Sequence, residues 1–289
     1  MSDVQVLRAV PATAAHYGFG EGLRFDERTG SLLWVDLMAG RLQRAPLGAL
    51  DDVEVLCDLG EPLGAFAPVA AGGWLLACGQ GLSALADDGT VSPLVQLEPS
   101  SNRMNDAACD LQGRFWVGSM AFDGAPGGGS LHRVDLDGTV VRVRDDVTIA
   151  NGPAFSPDGR TLYLDDSGAA VTLAYDLERA TGALSGEREL VRYDQGAGDG
   201  LVVDDEGHLW VAVFGGSAVL RFAPDGRLVA RVAVGASQVS SCCIADGRLW
   251  ITTVAEHLDS PEPDAGRIFV ADVGVGAPAV RPFRGVLPG

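Results

Sequence analysis

No lysine occurs among the 289 residues; all 21 basic side chains are arginine. That removes Schiff-base chemistry and the phosphate-gripping lysine of a P-loop from the available mechanisms. Positive charge is scarce altogether, with 39 acidic residues against 21 basic ones and a formal net charge of −18. An excess of this sign repels phosphate backbones and anionic lipid, so neither nucleic acid nor a membrane surface is an expected partner. No apolar run is long enough to span a bilayer, and Met1–Val10 carries no basic segment followed by an apolar one. The five cysteines, Cys57, Cys78, Cys109, Cys242 and Cys243, are odd in number and form no C-x-x-C pair. They are expected to be reduced core thiols of a cytoplasmic protein. Nucleophile-elbow, zinc-protease, dinucleotide-binding and EF-hand motifs are all missing.

What the chain has instead is a repeat. A short apolar strand, a turn rich in Asp and Gly, and a strand around an aromatic residue recur six times. The copies are Leu23–Asp36, Ala67–Cys78, Ala108–Gly118, Ala154–Asp166, Leu201–Val213 and Cys242–Thr253. The aromatic anchors Trp34, Trp74, Trp116, Tyr163, Trp210 and Trp250 are separated by 40, 42, 47, 47 and 40 residues. Second hairpins lie between them, as in Gly129–Val143 and Ala218–Val232, and helical periodicity is nearly absent. A period of this length filled by four short strands is that of a propeller blade. The expected fold is therefore all-β, a six-bladed β-propeller with a central channel. No linker rich in proline and serine divides the chain, so residues 1–289 read as a single domain.

In a blade, the strand before the Asp-Gly turn is the innermost. The residue just ahead of that strand is expected to face the channel mouth. That phase holds Glu21, Asn105, Asn151 and Asp199, with Glu61 and Gln238 as weaker matches. One axis brings equal phases of different blades together, so two carboxylates and two amides should converge. Their oxygens suit a hard divalent cation. Arg103, two residues before Asn105, offers a planar donor fork for a hydroxyl-rich or anionic ligand, or alternatively a salt bridge to Asp106 or Asp110. His16 lies near the mouth but is expected to be structural, and His132, His208 and His257 show no ligand spacing. Asp165 and Asp166 read either as a second acidic element of the rim or as surface carboxylates beside a turn. The glycine-rich Phe122–Ser130 reads as a surface loop.

Several phrases in this order resemble the senescence-marker-protein/gluconolactonase/luciferin-regenerating family. They are the GEG around Glu21, the N-R-x-N-D around Arg103 followed by GRFWVGSM, NGPAFSPDGRTLY, and DGLVVDDEGHLWVAVFGG. The resemblance runs from about Tyr17 to about Phe283. It implies a six-bladed propeller that binds one divalent cation and hydrolyses sugar lactones. It places the family's metal-binding Glu, Asn and Asp on Glu21, Asn151 and Asp199, and its substrate-holding Arg and Asn on Arg103 and Asn105. Asp199 is also the implied base. The chain departs from the family pattern at Leu23, Ala107 and Gly198. It departs again after the GSM, where Ala121-Phe122-Asp123 stand in place of a lid glutamate.

The expectation is thus a metal-dependent hydrolase of a small lactone, with Phe122 and Asp123 closing over the ring. Calcium is the foremost candidate cation; zinc, manganese, magnesium and ferrous iron suit the same oxygens. A hydrolase of another ester, such as a phosphotriester, is the nearest alternative. A calcium- or metabolite-binding propeller without catalysis is the other.

Overall fold

The structure, a computed structural model, describes residues 4–289. The strands form six antiparallel sheets arranged as the blades of a propeller. Blade 1 comprises Gly20–Asp26, Ser31–Asp36, Arg41–Pro46 and Glu54–Asp58, numbered outward from the axis. The inner strands of blades 2 to 6 are Leu63–Pro68, Asn102–Cys109, Ala150–Phe155, Ala197–Val203 and Val239–Ala245. Each anchor aromatic lies on the second strand of its blade. The ring is closed by the N-terminal chain: Val10–Pro11 pairs with Phe269–Asp272 as the outermost strand of blade 6. Just before it, Gln5–Arg8 adds a parallel fifth strand to blade 5. The only helical turn among the described residues is Ser167–Ala169.

The apolar core is divided into six layers, one between each pair of neighbouring blades. Strand alternation explains why. Trp34 points into the layer shared with blade 6, while Leu33 and Val35 point into the layer shared with blade 2. In the same way Trp116 faces blade 4, and Phe115 and Val117 face blade 2. A second strand covered on both faces cannot alternate polar with apolar residues. This is the origin of the unbroken runs LLWV, FWV and LWVAV. Trp74 is the exception among the anchors: it is half-buried, edge-on to Phe66 with the Arg28 guanidinium above it.

Inner strands run from one face of the propeller, here the upper, to the other. On the lower face the C-terminal chain forms a strap. It is hydrogen-bonded in turn to Gly247, Asp205, Pro68, Ala70, Gly113 and Leu136, which crosses it from blade 6 and blade 5 to blades 2 and 3. Phe283, fully buried, anchors it in the layer between blades 2 and 3. Residues 277–281 pass over a cavity of about 120 Å³ at the lower end of the channel. All five cysteines are buried and free, as expected.

Candidate metal centre and active site

Every inner strand carries one extra residue relative to its partner near its upper end. The register shifts between Glu21 and Arg24, Leu63 and Ala65, Met104 and Ala107, Asn151 and Ala154, Gly198 and Leu201, and Val239 and Ser241. A bulge bends the strand and re-aims the side chains on it. The six bulges stand at one level of the ring, and four carry the polar residues picked out by the repeat. Glu21, Asn105, Asn151 and Asp199 therefore lie within the inner strands rather than ahead of them. Gly152, at φ +46°, completes the bulge after Asn151; a Cβ there would lie 2.8 Å from the Asp199 carbonyl oxygen.

The four side chains are buried and joined. Arg103 Nη1 donates to Asn105 Oδ1 (2.6 Å). Asn105 Nδ2 donates to the Ala150 carbonyl (3.0 Å) and to Asn151 Oδ1 (2.5 Å). Asn151 Nδ2 donates to Ser167 Oγ (2.8 Å), which in turn donates to the Gly198 carbonyl (2.5 Å). These bonds fix the amide of Asn151 with its nitrogen toward blade 5 and its oxygen toward Asn105. Ser167 ties the residue before Asp199 to Asn151, and repeat phase could not find it because it sits on the loop after a second strand.

Glu21 and Asp199 are both buried and act on each other, and Glu21 Oε2 accepts from the Gly22 amide (3.0 Å). Burial, reinforced by the charge of Asp106, pushes Glu21 up to about 8. Burial and the charge of Glu21 push Asp199 well above the usual carboxylate range. Two carboxyl groups out of water must share a proton or a cation. With Asn151 at the same bulge level, its amide oxygen accepting from Asn105, the donor set of two carboxylates and an amide oxygen fits a hard divalent ion. Arg103 is buried against the same groups, feels both carboxylates, and makes no ion pair with Asp106 or Asp110. Those two aspartates are taken by Arg24 and Arg114.

The weaker matches fall away. Gly64 occupies the bulge of blade 2, within 2.5 Å of the Asn105 carbonyl for any Cβ, and Glu61 stands exposed in the preceding turn. Gln238 is buried, paired to Phe214 just ahead of the inner strand of blade 6. His16 is structural, its Nδ1 bonded to the Ala265 carbonyl (2.8 Å). Asp165 and Asp166 are neither rim nor surface. Both are buried: Asp166 caps the turn at Ser167, and Asp165 sits behind Gly198 with Thr172 and Tyr193. Phe122 and Asp123 are exposed, on the upper loop after the second strand of blade 3. The Phe122 amide bonds to Ser101, close along the chain to Arg103.

One other acidic group, Asp204, Glu206 and His208, lies at the opposite end of blade 5. Its carboxylates are already paired with the Arg221 guanidinium. Asp204 accepts from two backbone amides, from Trp210 Nε1 (2.9 Å) and from the Arg221 guanidinium. Asp110 does the same in blade 3 with Arg114 and Trp116, so this is a repeated turn device.

Regucalcin of Xenopus laevis is 31% identical over 99% of this chain and 100% of its own. A Bacillus subtilis protein named as a sugar lactone lactonase is 31% identical over 92% of this chain and 95% of its own. Among solved structures, the calcium-binding protein regucalcin from Agrobacterium tumefaciens superposes with a TM-score of 0.91 at 28% identity, covering 98% of this chain and 100% of that one. Luciferin-regenerating enzyme superposes with a TM-score of 0.87 at 26% identity, covering 96% and 99%. Residues 19–255 match the family described as SMP-30/gluconolactonase/LRE-like region, and the chain belongs to that family.

Proposed function

We propose that this protein is a divalent-cation-dependent hydrolase of small lactones, with sugar and hydroxy-acid lactones as the substrate class. The observation that carries the reading is the buried Glu21–Asp199 pair with the Asn151 amide at the same level, held in place by a bulge in each strand. Glu21, Asn151 and Asp199 would hold the cation, with calcium favoured by the calcium-binding regucalcin neighbour. The bound ion supplies Lewis acidity for a carbonyl oxygen and for the negative charge that develops on it. Asp199 accepts the proton of the attacking water. Arg103, already locked to Asn105, presents its remaining guanidinium donors to ring hydroxyls, and Asn105 accepts from them through the free lone pair of Oδ1, since both of its amide protons are taken by Ala150 and Asn151. Phe122 and Asp123, on the upper loop nearest to them along blade 3, cover the bound ring.

A panel of five- and six-membered aldonolactones, with and without chelator, tests this. Lactones are expected to open faster than p-nitrophenyl acetate, and Glu21→Ala to lose both tightly bound metal and activity. Equal rates on the linear ester would remove Arg103 and Asn105 from substrate recognition. Cation binding without hydrolysis of any ester, phosphotriesters included, would leave a binding protein.

A further inference from the structure

Beneath the candidate centre the channel is partitioned. Arg24 follows Glu21 by three residues, beyond the bulge of blade 1. Its guanidinium crosses the channel to blade 3, donating from Nη2 to Asp106 Oδ1 (3.1 Å) and to the Ala107 carbonyl (2.9 Å). Nη1 is held by the Leu23 carbonyl (2.9 Å). Asp106 is buried, and its other bonds come from backbone: the Ala107 amide to Oδ1 (2.7 Å) and the Gly152 amide of blade 4 to Oδ2 (3.2 Å). The pair thus joins blades 1, 3 and 4 at one level. Above it are Glu21, Asn105, Asn151 and Asp199. Below it Arg24 lines the cavity under the strap, together with Phe25, Phe66, Cys109, Phe155 and Cys243.

Asp106 is a further buried carboxylate next to this set, and its charge acts on both Glu21 and Asp199, whereas that of the buried Asp165 acts on Asp199. Three carboxylates around one divalent ion would overcompensate it. Arg103 lies against Glu21 and Asp199 themselves, whereas Arg24 neutralises Asp106, which stays bound to the Gly152 and Ala107 amides. We propose that Arg24 is a positioning residue for the cation site: it withholds the charge of Asp106 from the ion and forms the floor that separates the polar mouth from the cavity under the strap. This rests on the reading of Glu21, Asn151 and Asp199 as a cation site.

The test is calorimetric titration of the whole protein with calcium and with manganese, alongside lactone turnover at saturating metal. Arg24→Met exposes the ion to a third carboxylate. It should tighten cation binding by about tenfold while turnover falls by about tenfold, because a more neutralised ion is a weaker Lewis acid. Asp106→Asn leaves the guanidinium uncompensated and should weaken binding by about tenfold. The double variant Arg24→Met/Asp106→Asn, and Arg24→Lys, should return to within roughly threefold of the parent. A merely structural pair would weaken binding in both single variants, and that common sign would overturn the proposal. If Arg24→Met does not fold, Asp106→Asn and the double variant decide together: unchanged affinity in Asp106→Asn, or a double variant that stays as weak as Asp106→Asn, also overturns it. A parent protein that binds neither cation would overturn the cation site itself, whereas a parent that binds with variants that do not differ overturns only the role of Arg24.

Discussion

The two ends of the channel are built from the same six strands and differ in almost everything else. At the upper end each strand bulges, polar side chains turn toward the axis, and glycines admit neighbouring backbones. At the lower end the strands are regular, the lining is mostly apolar with Arg24, Glu27 and Arg281 as its charged members, and the C-terminal strap covers the opening. A narrow channel excludes bulk water, so polar groups persist in it only where something offsets their desolvation. At the top that role falls to a shared proton, an amide relay and, we propose, a cation. At the bottom less compensation is needed, because most of the lining side chains are apolar. The Arg24–Asp106 pair marks the border between the two regimes.

This division separates function from stability, and substitutions can probe it. The largest effect is expected at the upper end. Asp199→Asn keeps an oxygen of similar reach but cannot accept a proton at neutral pH. With metal and substrate saturating, its turnover should fall by roughly 10²–10⁴ while the fold persists. Turnover within a few-fold of the parent would make Asp199 a ligand only, and would move the search for the base to Glu61, Asp106 and Asp123. Of these, Glu61 stands away from the bulge level and Asp106 is tied up by Arg24.

The opposite end should respond in the opposite way. Phe283→Ala removes a fully buried ring that holds the strap between blades 2 and 3. Urea unfolding should show a loss of about 3–5 kcal/mol, with cation affinity and turnover unaltered. A parallel loss of affinity would mean that the two ends are mechanically coupled and the division is false.

The smallest expected effect sharpens the electrostatic half of the comparison. Glu21 is raised from 4.5 to about 8 in the metal-free fold. An acid whose folded value is raised contributes stability that is fully present below its unfolded value and is lost as pH rises through the folded one. The melting temperature of the metal-free protein should therefore decline between about pH 4.5 and pH 8. Added calcium should abolish the decline, so the shift it produces grows with pH. A calcium-induced shift that is constant across this window would dissociate Glu21 from the cation.

Much of this was legible before any coordinates. The recurrence of an aromatic every 40 to 47 residues states the blade count, because each blade must present one bulky residue to a neighbour. The apolar runs around those aromatics state that both faces of a blade are covered. The shared phase of Glu21, Asn105, Asn151 and Asp199 was visible because a ring converts equal phase into equal height. Phase reaches only residues on the repeat, however. It gave Glu61 as a weaker match for the mouth where Gly64, three residues further on, in fact stands, since the repeat does not hold the length of the turn between a strand and its anchor. It placed the site residues ahead of the strands, since a bulge leaves no mark in an apolar pattern.

What the chain determines by itself is therefore its periodic part: strand, turn, aromatic and the polar residue at one phase, each set by local chemistry repeated six times. What only the tertiary structure decided is every contact between residues of unequal phase. Ser167 reaches Asn151 from a loop, Arg24 reaches Asp106 across the channel, and the strap reaches blades 2 and 3 from the chain end. These are long-range pairings of single side chains or single carbonyls. No period encodes them, and they exist only because closing the ring brings distant segments within hydrogen-bonding distance.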